Sequence, residues 1–127
     1  MANQGKKKVL AVLDDLFFRV KIADAAKRVG LDIEFLNNGT DVIERAKEQP
    51  LVIIVDLNIN SLQPLKLISE LKSAPETKGV SIIGFVSHVQ GELKQKAQEI
   101  GCDMVMARSA FSQNLPQILK RHAGIAV

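Results

Sequence analysis

The sequence predicts an α/β fold: one doubly wound, five-stranded parallel sheet in strand order 2-1-3-4-5 with helices on both faces. Three observations predict it. Five short apolar runs read as strands buried on both faces, and amphipathic stretches at helical spacing separate them. Gly30, Pro50 and Gly101 fall where a helix must end.

Residues 9–13 (Val-Leu-Ala-Val-Leu) form the first strand, apolar at every position. Phe18, Ile22, Ala25 or Ala26, and Val29 then recur at helical spacing as far as Gly30. Residues 32–36 alternate as a second strand. Asn38-Gly39-Thr40 opens a helix containing Val42, Ile43 and Ala46, which ends near Pro50. Residues 51–55, five apolar and mostly β-branched, are the clearest strand. Leu65, Ile68 and Leu71 mark the next helix, residues 74–79 a polar turn, and residues 80–86 a fourth buried strand. A helix through Leu93, Ala97 and Ile100 stops at Gly101. Residues 103–107 are a short fifth strand, and Leu115, Ile118 and Leu119 lie on a last helix. Pro116 places the start of that helix near Ser112, so that the proline sits in its first turn. Right-handed crossovers favour the 2-1-3-4-5 order.

The chain has 127 residues, 46% apolar and 24% charged, which suits one domain and excludes disorder, collagen and coiled coil. The domain is expected over residues 7–123, between tails 1–6 and 124–127. The formal net charge is +3 and the pI about 9.1. Lys6, Lys7 and Lys8 carry that whole excess, a solvated basic tail on a neutral body, so no nucleic-acid partner is implied. The single cysteine, Cys102, excludes an intrachain disulfide and a cysteine-built zinc site and reads as packing. No signal peptide is visible, and no segment approaches the roughly 20 apolar residues of a membrane span. The expected location is the cytoplasm, with no membrane contact.

In such a sheet, ligands bind outside the carboxyl ends of the strands, where the strand order reverses. Those ends carry Asp14 and Asp15 (strand 1), Asp56 (strand 3), Ser87 (strand 4) and Arg108 (strand 5). Strands 1 and 3 are neighbours there, so three carboxylates converge, and like charges that close call for a cation. Mg²⁺ fits, because it takes oxygen ligands and keeps positions open for phosphate. Asp56, alone at the end of the middle strand, is the natural nucleophile and would form an aspartyl-phosphate. The alternative for Asp14-Asp15 is a pair of acids capping the first helix. Arg108 either pairs with Asp56 as a counter-ion or points into solvent.

At these residues the chain resembles the receiver domain of two-component response regulators, the flavodoxin-like fold of the chemotaxis response regulator. Val12-Leu13-Asp14-Asp15 matches the family's acidic pair, and Val55-Asp56-Leu57-Asn58 its phospho-acceptor. Phe85-Val86-Ser87 matches its switch hydroxyl, and Gly101-Cys102-Asp103 its turn into strand 5. The resemblance implies Mg²⁺ held by Asp14, Asp15, Asp56 and the backbone carbonyl of Asn58, with Ser87 on the phosphoryl group. It also implies a histidine kinase or phosphotransfer protein as donor, and a downstream protein partner on the strand 4 to helix 5 face.

The chain departs from the family at several places. The usual Lys-Pro after strand 5 is Arg108-Ser109, and Arg is longer and planar. Without that proline, the cis peptide usual there is not expected. His88 follows the switch hydroxyl where a small residue is usual; it reads as a surface histidine, and His122 as one suited to a helix carboxyl end. Val105 stands at the aromatic switch position, and Asn60 and Pro64 replace the usual Pro and Gly of the loop after Asp56. Two functions follow. One is a receiver accepting a phosphoryl group on Asp56, non-enzymatic beyond its own phosphoryl transfer and loss. The other is a pseudo-receiver that binds partners without a phosphorylation cycle. A flavin-phosphate loop, a haloacid-type Asp-x-Asp, a Walker loop and a Gly-x-Ser-x-Gly elbow are all missing. No helix-turn-helix follows before Val127, so direct transcription control is not expected.

Overall fold

The computed structural model describes residues 8–87 and 91–124. Five strands alternate with five helices. They are β1 (Lys8–Val12), α1 (Leu16–Arg28), β2 (Asp32–Leu36), α2 (Gly39–Ala46), β3 (Val52–Asp56), α3 (Pro64–Ser73), β4 (Ser81–Val86), α4 (Gly91–Glu99), β5 (Met104–Ala107) and α5 (Arg108–His122). The strands pair in parallel in the order β2-β1-β3-β4-β5, as the sequence predicts.

Each strand divides its side chains between two cores, because successive residues point to opposite faces. On β1, Val9 and Ala11 join α1 and α5 through Phe18, Ile22, Phe111 and Leu115, while Leu10 and Val12 join α2, α3 and α4. On β3, Val52 and Ile54 share the first core, and Ile53 and Val55 the second. Burial on both faces explains why these strands read as unbroken apolar runs rather than alternating ones.

Local chemistry sets the ends. Asp15 caps α1, accepting the Phe18 N–H at 3.1 Å, and Asn38 caps α2, accepting from Asp41 N–H at 2.8 Å. Gly30 and Gly101 adopt φ of 77° and 113°, the left-handed region that ends α1 and the α4 segment. Pro64 opens α3 as its first residue, after a short 3-10 turn at Asn60–Leu62.

Two expectations are corrected. Lys8 is not tail: it opens β1 and pairs with Glu34 on β2 at 3.2 Å. Its partly buried stem packs at the start of β1, while its amine reaches the Glu34 carboxylate. Lys6 and Lys7 lie outside the described residues. The last helix starts at Arg108 rather than Ser112, so Pro116 lies in its interior. The helix continues past the proline because Phe111, Leu115, Ile118 and Leu119, on both sides of it, are buried against the sheet and α1. That burial outweighs the lost hydrogen bond to Ser112.

Candidate functional site

The sequence-predicted residues meet at the carboxyl edge of β1, β3, β4 and β5. Asp14 is exposed and Asp15 partly so, on the turn from β1 into α1. Asp56 ends β3 half-buried, and Ser87 is exposed just after β4. Arg108 begins α5 immediately after β5.

Asp56 is held by its own loop. One of its carboxylate oxygens accepts the Asn58 N–H at 2.9 Å. The Asn58 side chain in turn accepts the Ser87 N–H at 2.7 Å, and Leu57 N–H donates to the Phe85 carbonyl at 2.9 Å. Asn58 therefore braces the end of β3 against the end of β4, fixing Asp56 and Ser87 relative to each other. The sequence pointed only to the backbone carbonyl of Asn58. Its side-chain role has no signal in one sequence, because the bond forms across strands 29 residues apart.

Burial raises the Asp56 carboxyl above the ordinary aspartate value, opposed by the Asn58 N–H and by the Arg108 charge; Asp14 and Asp15 push in the same direction as burial. The three acids thus share one electrostatic field, as expected. They do not form one ligand cluster: among the described residues, no three His, Cys, Asp or Glu side chains are grouped to hold a metal ion. Asp15 is itself engaged by other groups. Its Oδ1 takes the Phe18 N–H and its Oδ2 the Arg108 guanidinium, and these bonds hold its carboxyl below the usual range.

Arg108 neither pairs with Asp56 nor points into solvent; its ion pair is with Asp15. Its guanidinium carbon lies 4.4 Å from the Phe18 ring centroid and 5.8 Å from that of Phe85. Stacking on Phe18, one turn into α1, aims the planar fork at the helix cap above it. Beneath lies an aromatic trio: Phe18 meets Phe85 edge-on at 5.0 Å, and Phe85 stacks on Phe111 at 5.4 Å and 6°. Their role as a floor for Arg108 depends on three elements meeting, α1, β4 and α5. A cleft of about 410 Å³ runs beside the pair, between Phe17, Lys21, Ser87 and Ser109.

Val105 is buried in the second core with Leu71, Ile82 and Ala97, leaving the switch position without a movable ring. All described peptide bonds are trans, including Arg108-Ser109. His88 lies outside the described residues. The His122 ring donates from Nδ1 to the Ile118 carbonyl, 3.0 Å away, as suits a helix carboxyl end. Cys102 is buried with its Sγ 3.3 Å from the Met104 carbonyl, and burial raises its thiol.

The comparisons with known proteins agree with this fold. A probable chemotaxis protein CheY of Rhizobium etli is 27% identical over 110 residues, 85% of each chain. A response regulator from Hahella chejuensis superposes with a TM-score of 0.82 over 91% of this chain and 94% of that one, at 18% identity. The chemotaxis response regulator CheY4 of Vibrio cholerae gives 0.77 over 91% and 97%, at 22% identity. The fold is that of a response-regulator receiver domain. No protein-family model matches this chain. Among the described residues no helix is long and apolar enough to cross a membrane.

Proposed function

We propose that this receiver domain accepts a phosphoryl group on Asp56 from a phosphohistidine-bearing kinase or phosphotransfer protein in the cytoplasm. The observation that supports this most is the placement of Asp56: a lone half-buried carboxylate at the sheet's switch point, braced by Asn58 beside Ser87. An Asp56 carboxylate oxygen attacks phosphorus, the P–O bond forms as the donor's P–N bond breaks, and the imidazole leaves with the electron pair and takes a proton. Ser87, exposed at the end of β4, is available to the phosphoryl oxygens, and Arg108 supplies positive charge next to them.

The donor set suits a hard divalent cation such as Mg²⁺, which needs only one or two carboxylates and retains its waters. The exposed Asp14 carboxylate and Asp56, with the Asn58 carbonyl, are oxygen donors of that kind. Bound there, the ion would supply neutralisation of the phosphoryl charge. Asp15 contributes through its pair with Arg108. The output face runs from β4 to α5, where a protein partner reads the phosphorylated state.

A second reading rests on two specific features. The Arg108–Asp15 pair and the ring-free Val105 position suit a pseudo-receiver that binds its partner without phosphorylation. One experiment separates them: incubation with Mg²⁺ and acetyl phosphate, followed by intact-mass and peptide mapping, with Asp56→Asn as control. A phosphoryl adduct on Asp56, lost in Asp56→Asn, supports the first reading. No adduct, and no beryllofluoride-dependent change in spectra, overturns it.

A further inference from the structure

We infer that Arg108 is a built-in competitor for the divalent cation: by holding Asp15, it leaves Asp14 and Asp56 as the carboxylates open to a metal. The inference rests on the reading of this pocket as a hard-cation site and assigns Arg108 a role beyond that of a phosphate-facing charge. Both oxygens of Asp15 are committed, Oδ1 to the Phe18 N–H and Oδ2 to Arg108. The Arg108 side chain is also fixed from below, on the faces of Phe18 and Phe85. Those rings are buried and packed with Phe111, so the platform does not shift without disturbing the core.

The residue type matters. A guanidinium stacks flat on an aromatic face while its edge donates to a carboxylate, whereas a lysine ammonium is a compact, strongly hydrated charge that does neither at once. A fixed cation beside the acids also repels a second one, because like charges a few ångströms apart oppose each other. Metal entry and the Arg108–Asp15 pair are therefore alternatives for the same carboxylate, and the pocket holds its cation more weakly than its three acids would suggest.

Mn²⁺, titrated into the full chain and followed by the EPR signal of the free ion, tests this. Arg108→Ala is expected to bind Mn²⁺ about tenfold more tightly than the unmodified chain, the lower end of what neighbours of metal ligands change. Arg108→Lys, which keeps the charge and loses the plane, falls between them and serves if the alanine variant does not fold. Asp15→Asn should change little in the unmodified background and should erase the gain in Arg108→Ala. Equal or weaker binding by both Arg108 variants overturns the inference, as does an Asp15→Asn loss that is the same in both backgrounds. Absence of Mn²⁺ binding in every variant overturns it too. Tighter binding without labelling of Asp56 upholds the competition and removes the phosphoryl-transfer reading; labelling with unchanged Mn²⁺ affinity does the reverse.

Discussion

Arg108, the first residue of α5, forms its ion pair with Asp15, the cap of α1, and so ties together the amino-terminal ends of two helices. Both ends carry partial positive charge, so Asp15 is stabilised there and Arg108 is not. Asp15→Asn should therefore destabilise the fold more than Arg108→Ala, since it leaves the guanidinium facing two helix amino termini. Arg108→Ala should lose about 0.5–1 kcal/mol, its contact with the Phe18 face. Urea midpoints at unchanged slope measure both, and the reverse order would contradict this account.

The same pair has a pH signature. Asp15 titrates below the ordinary aspartate value because it accepts the Phe18 N–H and then the Arg108 bond. The unfolded chain thus takes up that proton first as pH falls. The contribution is complete above the unfolded value, about 3.9, and disappears as pH drops through the folded one. Asp56 has the opposite sign, because burial raises it. Its ionisation costs stability as pH rises past the unfolded value. Difference curves of unfolding free energy against pH should show the deficit of Asp15→Asn vanishing in acid. The gain of Asp56→Asn should grow above about pH 4.

Gly84 on β4 tests how tightly β3 and β4 are packed beneath the site. A Cβ there would lie 2.8 Å and 2.9 Å from atoms of the buried Leu57 side chain. Gly84→Ala is expected to cost about 1–3 kcal/mol as an overpacking change. Leu57→Ala in the same chain should recover part of that cost, giving a coupling well outside additivity. Additive losses in chemical denaturation would show that the clash is relieved elsewhere.

Pro116 is the least favourable residue in α5. It lacks the N–H that would reach the Ser112 carbonyl, yet buried residues on both sides hold the helix in place. Pro116→Ala should raise stability by about 1–3 kcal/mol, less the entropy that proline removes from the unfolded chain. A rise in the thermal midpoint with unchanged far-UV helix content would bear this out; a fall would mean that the proline packs in a way alanine cannot match.

The position of each strand, the strand order and most helix ends were legible in the sequence, because burial on both faces writes an unbroken apolar run and glycine writes a stop. Where the reading failed, a local rule met a tertiary contact. Pro116 argued for a late helix start, and the packing of Phe111 and Leu115 overrode it. Lys8 belonged to a charged run, and Glu34, a residue of the neighbouring strand, drew it into the sheet. At the site, Asp14, Asp15, Asp56, Ser87 and Arg108 were visible as strand ends, and Asn58 through the family resemblance. Their pairing was not, since Asp15 and Arg108 stand 93 positions apart.

The sequence by itself determined a two-sided parallel sheet and the set of charged residues at its carboxyl edge, because periodicity and strand ends are local properties of the chain. Only the tertiary structure decided which of those charges answer one another. The planar Arg108 side chain finds the Phe18 face and the Asp15 carboxylate together, a coincidence of α1 and α5 that no local pattern encodes. The consequence is a pocket of three acids in which one carboxylate is already neutralised by the protein's own cation.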